Sequence, residues 1–206
     1  MTTVLNAITP SFVFLREWAR NPLEVAAISP SSIGLARLIT SQISSATTPV
    51  LEIGPGTGAF TAQLLANGVA PHDLTLLEKN AAFAKALQQQ FPAVRVVNAD
   101  AAEVDLRELN HGRPYRAVIS GLGLLSMERR IVARLLRRVF QNMPSEGALY
   151  QFTYGLRCPV QNRLMLALGL EAQNLGRVWW NCPPAVVYRI TRTADQFPDF
   201  AASWRF

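Results

Sequence analysis

Short apolar runs alternate with amphipathic segments through the middle of the chain. The apolar runs predict strands near residues 50, 74 and 94, and helical spacing predicts helices over 59–66 and 81–91 between them. Strands that alternate with helices form βαβ units, in which neighbouring strands are parallel. The pattern therefore predicts an α/β fold with a mostly parallel sheet and helices on both faces.

The alternation continues toward the carboxyl terminus and then ends in two strands with no helix between them. The predicted elements there are a strand at 117–120, a helix over 128–143, a strand over 147–155, a helical segment around 161–168, and strands near 174–181 and 185–191. The helix over 128–143 has a wide apolar face, and on its opposite side gather Arg130, Arg134, Arg137 and Arg138. That basic side is either a solvated surface or an anion-binding face.

An amphipathic helix is predicted over residues 11–21, ahead of the alternating region. Trp18 lies on its apolar side with other aromatic residues, and Arg16 and Arg20 lie on its polar side. Such a helix either packs its aromatic face on the domain or lies in the plane of a membrane, where aromatic residues enter the headgroup region and arginines meet lipid phosphates. Both interpretations remain open from the sequence.

A second helix is predicted over residues 32–43, after serines that can cap it. A segment rich in serine and threonine then leads to the first strand. A chain of 206 residues suits a single core. We therefore divide it into an N-terminal helical extension, 1–48, and a sheet domain, 49–206, that together form one structural domain.

The charge of the chain narrows the choice of partner. The formal net charge is +6 and the isoelectric point is about 10.0, and the only lysines are Lys79 and Lys85. Such a balance favours a polyanionic partner, either nucleic acid or an anionic membrane surface. No apolar stretch approaches the roughly 20 residues of a spanning helix, and no signal-peptide pattern opens the chain, so we expect a cytoplasmic protein. Cys158 and Cys182 form no metal-ligand spacing, so no metal site is predicted.

Glu52 and three glycines mark the end of the first strand. Gly54, Gly56 and Gly58 occupy every second position, and the helix over 59–66 follows them. Glycine lets a ligand approach the main chain closely, and the free N–H groups of the helix start favour a polar or charged ligand group. The spacing differs from the dinucleotide-binding G-x-G-x-x-G fingerprint, because the third glycine comes two residues after the second.

Two further acidic residues end the second and third strands. Glu78 stands where doubly wound folds position the acid that hydrogen-bonds ribose hydroxyls, and Asp100 follows the third strand. Ligands of such sheets bind beyond the carboxyl ends of the strands, so we expect Glu52, Glu78 and Asp100 at one ligand site. Each acid alone could also be a solvated strand end or a helix cap.

This arrangement resembles motif I and the neighbouring strand ends of the class I S-adenosylmethionine-dependent methyltransferases. The resemblance implies that the chain binds S-adenosyl-L-methionine, releases S-adenosyl-L-homocysteine, and uses Asp100 to accept from the adenine amino group. It also implies the Rossmann-like sheet order 3-2-1-4-5-7-6 with strand 7 antiparallel. The cofactor-binding residues expected on this basis are Glu52, Gly54, Gly56, Gly58, Glu78, Lys79, Asp100, Ala101 and Ser120.

Several stretches outside the glycine turn narrow the resemblance to the bacterial phospholipid N-methyltransferases of the soluble, Rhodobacter-like type. These stretches are 14–18 with Pro22, 27–32, 120–122, 151–155 and 181–189. The resemblance extends over nearly the whole chain and implies methyl transfer to the amine of phosphatidylethanolamine, in up to three rounds toward phosphatidylcholine. At one point the chain departs from the family, because Leu122-Gly123 stands where a Leu-Pro pair is expected. Without the proline, the loop that faces the nucleophile is looser.

The implied reaction needs an amine that has lost its proton, because an ethanolamine ammonium titrates near the lysine value of about 10.4. Ser120 and Tyr154 are the candidate proton acceptors, beside a backbone carbonyl or a water. Aromatic walls attract a methylated ammonium by cation–π interaction, and the available residues, each of which could instead be a packing residue, are Tyr154, Trp179, Trp180 and Tyr188. Contacts to the membrane or the lipid substrate are expected from Arg16, Trp18, Arg20 and Tyr188.

Other functions compete with this one. An RNA adenine N-methyltransferase of the ribosomal RNA dimethylase kind suits the basic charge, but the segment 120–123 offers no aromatic residue to stack on a flipped base. An ornithine lipid is an alternative substrate, and a membrane-binding protein without catalysis is disfavoured by the intact acidic residues. We therefore expect a phospholipid and an anionic membrane surface as partners, no nucleic acid, and peripheral association with the inner face of the cytoplasmic membrane.

Overall fold

The computed structural model describes residues 30–155, 157–179 and 184–193. Its seven strands are β1 Val50–Ile53, β2 Leu74–Glu78, β3 Arg95–Asn98, β4 Ala117–Ser120, β5 Ala148–Thr153, β6 Leu170–Val178 and β7 Ala185–Arg192. They form one sheet in the order β3-β2-β1-β4-β5-β7-β6. The first five strands pair in parallel, and β7 runs antiparallel to both β5 and β6. The predicted strand order and the orientation of strand 7 are confirmed.

Helices cover both faces of this sheet. They are α1 Pro30–Ile39, α2 Ala59–Ala66, α3 Ala81–Gln90, α4 Arg129–Gln141 and α5 Asn162–Ala167. Buried residues of α1, α2 and α3 pack on one face, and those of α4 and α5 pack on the other. Successive strand residues point to opposite faces, so β1 is apolar on both sides. Val50 packs in the core under α1, α2 and α3, and Leu51 packs in the core under α4 and α5. The predicted two-sided architecture is confirmed.

Local signals in the sequence set several helix ends. The Asn80 side chain accepts hydrogen bonds from the N–H groups of Ala82 and Phe83 and caps α3. The predicted helix over 32–43 instead begins at Pro30 and ends at Ile39. The expected last turn of the helix is absent. In its place, the side-chain amide of Asn67 donates hydrogen bonds to the carbonyl oxygens of Thr40 and Ile43. This contact ties the turn after α1 to the end of α2.

The edge strand β6 is longer than its sequence predicts. We predicted it near 174–181, but it begins at Leu170 and ends at Val178. Residues 171–174 are exposed and mostly polar, so the edge strand carries no apolar run that would mark its start. A register shift between Asn174 and Gly176 also breaks the alternation of side chains.

Some predictions fall on residues that the structure does not describe. The helix that we predicted over 11–21, with Arg16, Trp18 and Arg20, falls on residues outside the described part of the chain, as does Trp180. The division into an extension, 1–48, and a domain, 49–206, stays a prediction for the same reason. Among the helices of the described part, none is both long enough and apolar enough to cross a bilayer.

Candidate functional site

The glycine loop between β1 and α2 uses each of its three glycines for a different reason. Gly54, Gly56 and Gly58 have φ angles of 67°, 56° and 82°, a region that side chains other than glycine rarely adopt. A Cβ atom on Gly58 would lie 2.6 Å from Cε2 of Phe91, so the start of α2 requires glycine sterically. A Cβ atom on Gly56 would have no neighbour within 4 Å among the described residues. The main chain at Gly56 therefore borders open space at the carboxyl edge of the sheet.

The loop that follows β4 lies directly against the glycine loop. The Gly121 N–H donates to the Ile53 carbonyl oxygen at 2.8 Å, and a Cβ atom on Gly121 would overlap the carbonyl oxygen of Gly54. On the other side, a Cβ atom on Gly54 would lie 2.8 Å from Cδ2 of Leu122. The two predicted loops of the site are thus in van der Waals contact, and glycine at both positions permits it.

Glu78 joins the end of β2 to the glycine loop. Its Oε2 accepts from the Gly56 N–H at 3.2 Å, and its Oε1 accepts from the Asn80 N–H at 2.8 Å. The residue is 8% exposed, at the rim of the open space beside Gly56. A carboxylate has about four acceptor positions. Two of them remain for a ligand that enters from solvent.

Asp100 lies on the loop after β3 and is held in an ionised state. Its Oδ2 is 2.8 Å from Nζ of Lys79, and its Oδ1 accepts from the Ala102 N–H at 2.8 Å. The hydrogen bond from Lys79, followed by that from the Ala102 amide, lowers the pKa of Asp100, and the same contact raises the pKa of Lys79. Ala101 is buried beside them. The structure brings these three predicted residues together.

Glu52 is buried beneath the glycine loop. Its Oε2 accepts from the Thr61 hydroxyl at 2.7 Å, and its Oε1 has no hydrogen-bond partner among the described residues. Burial raises its pKa to about 7, although the bond from Thr61 opposes the shift, and the charge of Glu78 adds to it. Glu52 therefore ties β1 to α2 from inside and changes protonation close to neutral pH.

A row of polar residues crosses the sheet next to the glycine loop. Ser120 on β4 pairs with Gln151 on β5, and Gln151 pairs with Tyr188 on β7. Register partners point to the same face, so the three side chains line up. The Ser120 hydroxyl accepts from the Leu122 N–H at 3.3 Å, and Nε2 of Gln151 donates to the Leu122 carbonyl oxygen at 2.9 Å. Both side chains hold the β4 loop in place.

Gln151 was not among the predicted site residues. Its side chain is fully buried, its Nε2 also donates to the Phe152 carbonyl oxygen at 2.8 Å, and its Oε1 has no partner among the described residues. The available signal was one amide residue inside the otherwise apolar run 148–152. A buried polar residue in a central strand usually serves a specific contact.

The two predicted proton acceptors do not lie together. Ser120 is 1% exposed and points to the face that α4 covers, whereas Tyr154 packs with the core on the opposite face. The Tyr154 ring meets Phe152 edge-on at 5.4 Å, and Phe152 meets Phe60 of α2 at 5.8 Å. Tyr154 therefore extends an aromatic cluster that begins at the first turn of α2.

The described aromatic residues of the predicted wall do not lie side by side. Tyr188 is 7% exposed within β7, and Trp179 is 67% exposed just beyond the end of β6. The Arg177 guanidinium lies over the Trp179 ring, 4.6 Å from its centroid. Tyr154, Tyr188 and Trp179 thus lie in three different environments. The roles predicted for them stay predictions.

Comparison with known proteins places this site in a family. The family model described as ribosomal RNA adenine dimethylase matches residues 36–143. An ornithine lipid N-methyltransferase from Singulisphaera acidiphila is 30% identical over 150 residues, which are 69% of this chain and 77% of that protein. A ribosomal RNA small subunit methyltransferase A from Chlorobium luteolum is 39% identical over 69 residues. That match covers 34% of this chain and 24% of the ribosomal RNA enzyme.

Solved methyltransferases share the fold. The N-methyltransferase NodS from Bradyrhizobium japonicum, in complex with S-adenosyl-L-homocysteine, has a TM-score of 0.62 and 14% sequence identity, over 88% of this chain and 97% of NodS. The residues present here fit such a cofactor. The open space beside Gly56, the free acceptor positions of Glu78 and the ionised Asp100 provide the room and the acceptors that a nucleoside with hydroxyl and amino donors requires. The chain is thus a class I S-adenosylmethionine-dependent methyltransferase and belongs to the ribosomal RNA adenine dimethylase family.

Proposed function

We propose that the protein methylates the amine of a membrane phospholipid headgroup, taking phosphatidylethanolamine toward phosphatidylcholine. The observation that carries the proposal is the extent of the likeness to the ornithine lipid enzyme, which covers 69% of this chain and 77% of that protein. The matched ribosomal RNA enzyme shares only about a quarter of its length with this chain. A lipid amine is therefore the favoured acceptor class.

The loop after β4 supports an amine rather than a base as the acceptor. Residues 120–126 contain no aromatic side chain that could stack on an extruded base. The Leu122 main chain is instead fixed on both sides, by the Ser120 hydroxyl and the Gln151 amide. A loop fixed in this way can hold an ammonium group with several N–H donors in one orientation.

The protein has little covalent chemistry to perform in this reaction. The sulfonium of the bound cofactor supplies an electrophilic methyl group. The residues of the chain must orient an amine, exclude water and accept one proton. Ser120 and Tyr154 remain the proposed acceptors of that proton. Because Ser120 and Tyr154 lie on opposite faces of the sheet, replacing each in turn separates their contributions.

Peripheral attachment to an anionic membrane completes the proposal. The net charge of +6 favours an anionic surface. The amphipathic pattern over 11–21 provides an interfacial helix, with Trp18 for the headgroup region and Arg16 and Arg20 for lipid phosphates. We propose that this segment brings the site to the inner face of the cytoplasmic membrane.

A transfer assay with a labelled methyl donor tests the function. The acceptors are vesicles of phosphatidylethanolamine, vesicles containing ornithine lipid, ribosomal RNA and free ethanolamine. We expect label in the mono-, di- and trimethylated derivatives of phosphatidylethanolamine. Label in ornithine lipid alone would keep the reaction class and change the headgroup, whereas label in RNA alone would overturn the proposal.

Methylation of RNA adenine is the second candidate function. The family model that matches residues 36–143 favours it, and so does the basic charge of the chain. The family match ends before β5, so it leaves out the strand that carries Gln151 and the β6–β7 hairpin. Replacement of Trp18 distinguishes the two functions. It should impair methylation of lipid in vesicles and should leave methylation of a soluble RNA unchanged.

A further inference from the structure

An apolar groove opens next to the loop that follows β4. Its volume is about 680 Å³, within the range of small-molecule pockets. The floor is formed by side chains of the loop and of α4, among them Leu124, Met127 and Val132, and α5 closes the other side with Leu164. Leu125, at the mouth, is 59% exposed. Among the described residues, the groove is therefore an open apolar surface beside the loop that follows β4.

Three arginines surround this apolar floor. Arg129 and Arg130 are the first two residues of α4, and Arg163 is the second residue of α5. All three are exposed, and no described carboxylate lies within 4 Å of their guanidinium groups. With the Gln161 amide oriented so that its oxygen faces Arg129, that oxygen accepts from Nε at 3.1 Å and holds the side chain at the rim. The rim is a cluster of positive charge without a described counterion.

Other arginines of α4 serve the fold and provide a contrast. Arg134 lies 2.8 Å from the Glu103 carboxylate, and Arg138 donates to the carbonyl oxygens of Glu103 and Val104 at 2.7 and 2.6 Å. The basic side that the sequence predicts for this helix is thus divided. Arg134 and Arg138 clamp the loop after β3, while Arg130 faces the groove.

The start of α4 adds a further attraction for an anion. The helix has 13 residues, and its N-cap residue Glu128 makes no side-chain cap hydrogen bond. The first-turn N–H groups and the helix dipole therefore favour negative charge at the end where Arg129 and Arg130 lie. Anion-binding groups and an apolar floor meet in one groove.

We infer that this groove binds a phospholipid, with the phosphodiester against Arg129, Arg130 and Arg163 and an acyl chain along the apolar floor. A free phosphate would leave the apolar surface exposed, and an RNA backbone would gain nothing from it. A lipid uses both features. That the bound lipid is also the methyl acceptor rests on the proposed function, whereas binding itself does not.

Calorimetry with a short-chain phosphatidylethanolamine, kept below its micelle concentration, tests the inference. The Arg130→Gln/Arg163→Gln variant should bind at least about tenfold more weakly than wild type, because two charged contacts to the phosphate are lost. The matched control Arg107→Gln/Lys85→Gln removes the same charge from exposed positions elsewhere and should bind as wild type does. Ala133→Phe fills the groove without a change of charge and should weaken binding by a similar factor.

Folding is verified for each variant by its melting temperature and its affinity for S-adenosyl-L-homocysteine. Equal lipid affinity in wild type and Arg130→Gln/Arg163→Gln overturns the inference. The inference is also overturned if this variant binds RNA or inorganic phosphate more weakly than wild type but keeps the wild-type affinity for the lipid. If wild type methylates no lipid but its phospholipid affinity still depends on these arginines, the proposed function fails and the groove stands. If the variants methylate phosphatidylethanolamine vesicles and bind the short-chain lipid as wild type does, the groove fails and the function stands.

Discussion

The Glu78 carboxylate accepts a hydrogen bond from the Gly56 backbone amide at 3.2 Å, across 22 positions of sequence. This bond links the end of β2 to the middle of the glycine loop, and the Asn80 amide holds the second carboxylate oxygen. The carboxylate is therefore fixed before any ligand arrives. Such preorganisation reduces the ordering cost of binding a cofactor.

Replacement of Glu78 by alanine should weaken cofactor binding. The change removes an acceptor for the ribose hydroxyls and frees the Gly56 amide, so the loss should be about 1.5–3 kcal/mol of binding free energy. Titration calorimetry with S-adenosyl-L-homocysteine measures it. Glu108→Ala removes an exposed carboxylate on a distant turn and is the control. An affinity equal to that of wild type would rule out the ribose assignment.

Two similar substitutions in the glycine loop should differ in their main effect. Gly58→Ala should mainly reduce stability, and Gly56→Ala should mainly reduce cofactor affinity. Gly58→Ala introduces both an unfavourable φ angle and an overlap with Phe91, so it should lower the free energy of unfolding by more than about 2 kcal/mol. Gly56→Ala meets no atom of the described part of the chain and should cost only about 1 kcal/mol. Its methyl group projects into the open space of the cofactor site, so cofactor affinity should fall about tenfold or more.

Urea denaturation and calorimetry on both variants separate these effects. We expect the free energy of unfolding to fall more in Gly58→Ala than in Gly56→Ala, and the reverse order would contradict the steric role of Gly58. If Gly56→Ala binds S-adenosyl-L-homocysteine as tightly as wild type, the cofactor does not approach the main chain at this position.

The buried Glu52 predicts a dependence of stability on pH. The folded state keeps its proton up to a pKa of about 7, whereas the ordinary value is 4.5, so the folded state binds more protons between these values. The free energy of unfolding should therefore fall by up to about 3 kcal/mol as the pH rises from about 4.5 to about 7, and this contribution should then level off.

Glu52→Gln should remove that slope from the cofactor-free protein. Urea denaturation at several pH values between about 5 and about 8 measures the difference between variant and wild type. Glu108→Gln is the exposed control and should keep the wild-type slope. The same slope in Glu52→Gln and wild type would show that the buried carboxyl does not titrate in this range.

Gln151 should act as a positioning residue for the loop after β4. Gln151→Met removes the side-chain amide that donates to the carbonyl oxygens of Leu122 and Phe152, so kcat should fall by about tenfold or more. The KM for the cofactor should stay within about twofold, because the glycine loop is unchanged. Gln173→Met, on the exposed part of β6, is the control. A variant that folds and turns over like wild type would remove Gln151 from the site.

Attachment to the membrane should depend on Trp18. Trp18→Glu places a charge on the apolar side of the amphipathic segment and should release the protein from vesicles rich in anionic lipid. Wild-type binding should weaken as salt rises, since the arginine contacts are screened. Trp179→Glu changes a tryptophan that is 67% exposed on the β6 side of the domain and serves as the control. Flotation of Trp18→Glu with the vesicles, as for wild type, would exclude the segment as the anchor.

The central elements of the fold were predictable because their signals are local. The strand at 117–120 and the helix over 59–66 have the bounds that the sequence predicts, since an apolar run forms the strand, and Gly58 and Asn67 flank the helix. The start of β6 at Leu170 was not predictable, because an exposed edge strand has polar residues on both sides. The early end of α1 depends on Asn67, which is distant in sequence.

The candidate site shows the same division. The contact of Glu78 with Gly56 and of Asp100 with Lys79 follows from strand ends that meet at one edge of a parallel sheet. The hydrogen bond from the Gln151 side chain to the Leu122 carbonyl oxygen depends on the register between β4 and β5, which the sequence does not specify. The separation of Ser120 from Tyr154 depends on which face each side chain takes after its strand ends.

A competition between a lipid and an RNA acceptor in one reaction shows which of them the protein methylates. Phosphatidylethanolamine vesicles and ribosomal RNA are supplied together with limiting labelled S-adenosyl-L-methionine, and both fractions are analysed by mass spectrometry. We expect methyl groups on the headgroup nitrogen of the lipid and none on adenine. Methylated adenine with an unmodified lipid would overturn the proposed function.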